Sequence, residues 1–95
     1  MEIQLNLKTH CLETEIKRLY EQAVRQYFKP HADKAALEET IDLLKKALEC
    51  FDFRRLRSRY PALCGHTDAR VVLVTGTEGT PGLRIDNIEK QSRSD

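Results

Sequence analysis

Residues 33–51, DKAALEETIDLLKKALECF, place Leu37, Ile41, Leu44, Leu48 and Phe51 at intervals of four, three, four and three residues. That spacing aligns five apolar side chains on one face of an α-helix, and the chain must supply a surface to cover it. Asp33 stands where its carboxylate accepts hydrogen bonds from the free N–H groups of the first turn. Ala35, Ala36 and Ala47 favour the helix, and no Pro or Gly interrupts it.

The segment before it has the same period. Leu12, Ile16, Leu19, Tyr20, Ala23, Val24, Tyr27 and Phe28 predict a first long helix, and Pro30 within KPHAD (29–33) ends it. So short a connection predicts a two-helix hairpin, its apolar faces turned to each other, to a sheet, or to a second subunit in an intermolecular bundle. Near the N-terminus the period changes to two. Ile3, Leu5 and Leu7 alternate with Glu2, Gln4, Asn6 and Lys8, as in a half-buried strand.

Downstream, DFRRLRSRYP (52–61) predicts a third, shorter helix capped by Asp52, anchored by Phe53, Leu56 and Tyr60, and stopped at Pro61. PALCGHTDA reads as a connector. RVVLV (70–74) is a β-forming run, TGTEGTPG (75–82) is rich in turn residues, and Leu83 and Ile85 form a second alternating pair. Ile88 is expected to pack after a bend near Asn87. These predict a β-hairpin with a connection longer than two residues. The expected fold class is α+β: a small, mainly antiparallel sheet covered by a two-helix hairpin, in the order β-α-α-short α-β-β. Residues 1–95 read as a single small domain without internal repeats.

With 40% apolar and 33% charged residues, the chain has enough for a modest core and a soluble exterior. Because ordering the chain offsets most of what a small core contributes, a homo-oligomer is expected to add stability. The net charge of +1 hides an asymmetry: residues 1–52 hold eight Lys/Arg and ten Asp/Glu, whereas residues 53–95 hold eight and five. No run is apolar enough to cross a membrane, and MEIQLNLK lacks a secretory leader, which favours a cytoplasmic protein.

Cys11, Cys50 and Cys64 are odd in number and far apart, so they make no disulfide framework. Cys11 falls near a helix start, where a thiolate is stabilised, although packing is its simpler role. His10–Cys11 and Cys64–Gly65–His66 carry zinc-ligating atoms but lack the short CxxC anchor of a specific metal motif. A nucleophile would need a positioned base and oxyanion donors beside Cys11 or Cys64, and Glu13 and Glu15 are too generic to complete such a site. GTEGTPG lacks the Lys–Ser/Thr ending of a phosphate loop, and Gly76, Gly79 and Gly82 read as hairpin residues. No catalytic residue, cofactor or metal follows from these patterns.

Arg54, Arg55, Arg57 and Arg59 are the candidate partner-binding residues. Their guanidinium forks make paired, charge-assisted bonds to carboxylates or phosphates, although a basic helix also serves as a solvated face. The expectation is a non-catalytic protein-interaction or regulatory module that meets a protein partner with an acidic surface. The alternative is a DNA- or RNA-binding regulator that sets the same arginines on phosphates and stacks a base on Tyr60.

Overall fold

The computed structural model describes residues 1–7, 11–60, 63, 70–76 and 79–86. Its elements are β1 (Glu2–Asn6), α1 (Leu12–Tyr27), α2 (Lys34–Cys50), α3 (Phe53–Arg59), β2 (Arg70–Thr75) and β3 (Pro81–Asp86). The protein is an α+β fold in the expected order, with a three-stranded antiparallel sheet ordered β1-β2-β3.

The register sorts the strand residues between the two faces of the sheet. Ile3, Leu73 and Leu83 form one cross-strand row, and Leu5, Val71 and Ile85 form the next. Because alternate residues share a face, these two rows make one apolar surface. Leu5, Val71 and Leu73 are buried there, while Leu83 and Ile85 on β3 are half-buried. On the other face Gln4, Val72 and Arg84 align, and Arg84 reaches Glu2 at 3.4 Å.

Polar side chains set the helix ends. Asp33 Oδ1 accepts from the Ala36 N–H at 3.3 Å, and Asp52 Oδ1 accepts from the Arg55 N–H at 3.2 Å. Satisfying a first-turn donor in this way is worth about 1 kcal/mol. At the hairpin turn Lys34 Nζ donates to the Tyr27 carbonyl at 2.6 Å, a cation at the carbonyl-rich end of α1. Tyr27 Oη donates to Glu38 at 2.9 Å, which ties the two helices together near their connection. α1 ends at Tyr27, one residue before the expected limit. Phe28 leaves the inward direction and is 76% exposed, its ring edge-on to Tyr27.

α1 packs on α2 and β1, and α2 on β3. The apolar stripe of α2 is mostly half-buried: Leu44 is fully covered, but Leu37, Ile41, Leu48 and Phe51 are not. The other buried positions of α2 are Leu43 and Ala47. At about 100° per residue, the centre of this buried set is rotated roughly 70° from the stripe. Leu37 and Leu44 line a small cleft with Leu19 and Ala23 of α1, so the stripe lies along the seam between helices. Leu63, from the expected connector, adds a fully buried side chain, and its N–H bonds the Tyr60 carbonyl at 2.9 Å.

The β2–β3 connection spans residues 76–80, longer than two residues, as expected. Gly79 has φ of +79°, where a Cβ is strained. At Gly76 the reason is different: a Cβ there would lie 2.5 Å from the Thr80 carbonyl oxygen, to which the Gly76 N–H is bonded. Gly82 is an ordinary strand residue facing Val74. Ile88 and Asn87 lie outside the described residues.

Candidate interaction surface

α3 follows α2 almost directly, with Phe51 and Asp52 between them. The Phe51 and Phe53 rings meet edge-on at 5.8 Å across this corner, and Leu56 turns towards the core. The third expected anchor, Tyr60, is instead exposed as the C-cap of α3. With Phe53 and Leu56 fixed inward, the helical period sends the arginines to two flanks. Arg54 and Arg57 share one side, Arg55 and Arg59 the other. All four are exposed. Among the described residues none of them forms an ion pair, in contrast to Lys17, Arg18, Lys46 and Arg84, which all do.

The two flanks meet different neighbours. Arg57 lies on the side of Cys11, the N-cap of α1, whose thiol pKa is held below 9.0. The main cause is the Thr14 hydroxyl, 3.2 Å from Sγ. The amides of Thr14 and Glu13 and the charge of Arg57 act in the same direction, and partial burial opposes them. Arg59 lies on the other side, its guanidinium 5.7 Å from the Tyr60 ring centroid. With Tyr60 it lines a cleft of about 350 Å³ that also includes Phe51, Leu56, Leu83 and Ile85. A second, more open cleft of about 530 Å³ lies at the α1–α2 turn, around Lys29, Pro30, His31 and Leu37.

The sequence singled out the arginines but not the cleft beside Arg59. Leu83 and Ile85 were legible as an inward pair. Their position on an outer strand next to α3 depends on strand order, which no local pattern encodes. The burial of Glu15 and its pairing with Arg18 were also missed. Glu15 is 2% exposed, and its carboxylate accepts two bonds from Arg18, at 2.8 and 3.1 Å. The only local signal was the three-residue spacing of an acid and a base on a helix.

His10, Cys64 and His66 lie outside the described residues, so the expected zinc-capable pairs are placed only at Cys11. Among the described residues, no group of three or more His, Cys, Asp and Glu side chains could hold a metal ion. Among the same residues, no helix is long and apolar enough to cross a membrane.

An uncharacterized protein of Archaeoglobus fulgidus is 38% identical over 61 residues, covering 62% of this chain and 72% of that protein. No solved structure matches the chain. A family model matches residues 1–82, a span containing β1, the three helices, β2 and the first two residues of β3. The chain therefore belongs to the protein family whose model covers its residues 1–82.

Proposed function

We propose that the protein is a cytoplasmic, non-catalytic interaction or regulatory module, with the whole chain acting as one domain. Its partner is a protein with an acidic surface, recognised through Arg54, Arg55, Arg57 and Arg59. The observation that carries this reading is that four exposed guanidinium groups on seven residues of helix lack an ion-pair partner among the described residues. Like charges held this close repel one another, and a partner's carboxylates relieve that repulsion while making paired hydrogen bonds.

Their distribution favours a protein over a nucleic acid. Guanidinium groups divided between two flanks suit carboxylates at separate points better than one continuous phosphate backbone. The test replaces all four arginines with glutamine, which keeps much of the side-chain length and removes the charge. Capture of the protein partner is expected to fall about tenfold or more while circular dichroism stays unchanged. Interaction that disappears on nuclease treatment, with DNA or RNA binding lost in the same variant, would instead support the nucleic-acid alternative. An unchanged partner profile and nucleic-acid affinity in the folded variant would reject the surface.

The homo-oligomer forms a second part of the proposal, on a narrower base than the sequence suggested. α1 and α2 pack on each other within the chain, which leaves Phe28 at the hairpin tip as the exposed apolar contact for a second copy.

A further inference from the structure

β3 is an edge strand among the described residues: β2 pairs with it from Pro81 to Asp86, and no described strand pairs with its other side. An antiparallel edge presents a row of outward N–H and C=O groups, and these bind an added strand readily. Leu83 and Ile85, on the helix-facing side of this edge, are half-buried and line the cleft that Phe51, Leu56, Arg59 and Tyr60 complete. The other edge, β1, differs in charge. The cleft that Ile3 lines contains Leu19, Gln22, Ala23, Gln26, Leu37, Thr40 and Leu44, with no charged side chain.

We propose that β3 is the docking edge for an extended segment of a partner protein, added to the sheet as a fourth strand. Alternate apolar side chains of that segment enter the cleft over Leu83 and Ile85, and a carboxylate among them meets Arg59 and Arg55. Strand addition has this division of labour: backbone hydrogen bonds supply affinity, and every second side chain supplies specificity. The inference rests on the acidic-partner reading and adds the conformation of the partner and the place where it lies.

Charge complementarity selects the occupant. Arg59 lines the cleft, Arg55 lies one helical turn from it on the same flank of α3, and neither has a carboxylate partner among the described residues. A second copy paired through its own β3 would offer Leu83 and Ile85 to this cleft, which bring no carboxylate. A helix is a poorer match, because a backbone with all its bonds internal leaves the edge groups of β3 unpaired.

The test is selection of a random octapeptide display library on the full chain, followed by synthesis of the selected peptide. The expected sequences carry apolar residues at alternate positions together with Asp or Glu. The bound peptide should slow hydrogen exchange of amides within residues 82–86 about tenfold. N-methylation of every second peptide residue on the pairing edge should abolish binding without any change to the protein. Replacing Arg55 and Arg59 with glutamine should weaken binding roughly five- to twentyfold.

Acidic peptides whose binding depends on the arginines but protects only α3 would overturn strand docking and leave the acidic-partner reading standing. Selected peptides without acidic residues, indifferent to the arginine substitutions, would remove both. Selection of no sequence, or protection of the β3 amides by raised protein concentration alone, would also overturn the proposal.

Discussion

Cys11 shows how one neighbour sets the chemistry of a side chain. The Thr14 hydroxyl stabilises the thiolate, so the proton leaves below 9.0. A depressed folded-state value contributes stability above the unfolded value and loses it as pH falls through the folded one. The Thr14→Val substitution keeps the shape and removes the hydroxyl. The pH of half-maximal Cys11 alkylation, followed by mass spectrometry of its peptide, should rise; a fall or no change would contradict this account. Tyr27 is shifted the other way. Its hydrogen bond to Glu38, and the charge of that carboxylate, raise the phenol above 10.0, so this link between helices persists until pH passes the raised value. Cys11 near a helix start was legible as an N-terminal thiol. Thr14 as its principal partner was not, because a hydrogen bond depends on rotamers as well as spacing.

At the scale of elements, the ends of α2 and α3 were readable from single residues. Asp33 and Asp52 cap as expected, because a cap is a bond within one turn. The buried face of α2 was less legible. A stripe of apolar residues gives a direction, but α2 meets α1 on one side and the sheet on another, so its coverage spreads towards Leu43 and Ala47. This predicts unequal costs within one stripe. Leu44→Ala, at a fully buried site, should destabilise by about 2–5 kcal/mol. Ile41→Ala, at a half-buried one, should cost about 1 kcal/mol. Urea denaturation separates these values, and equal costs would mean that the stripe, rather than the rotated face, forms the centre of packing.

For the whole molecule, helices cover one face of the sheet, which among the described residues has two outer strands, β1 and β3. The proposed self-association through Phe28 should appear in light scattering as a mass that rises with concentration, and Phe28→Ser should return it towards the monomer. A strictly monomeric mass across the range removes the oligomer and leaves the fold intact, because the contacts of α1 and α2 lie within one chain. The arginine surface is independent of that result, since it sits on α3 rather than at the hairpin tip.

The sequence by itself determined the element types, their order and most of their ends. Period, caps, prolines and glycines act over a few residues, so their physics is local. It also determined that four arginines crowd one short helix. The tertiary structure decided that α2 turns a broader face inward than its stripe suggests, and that Leu63 reaches the core. It also decided that Arg59 borders a cleft on β3 while Arg57 lies towards Cys11. Those outcomes depend on which strand lies at an edge and on how helices cross. They join residues far apart in sequence through packing and burial, which no local spacing specifies.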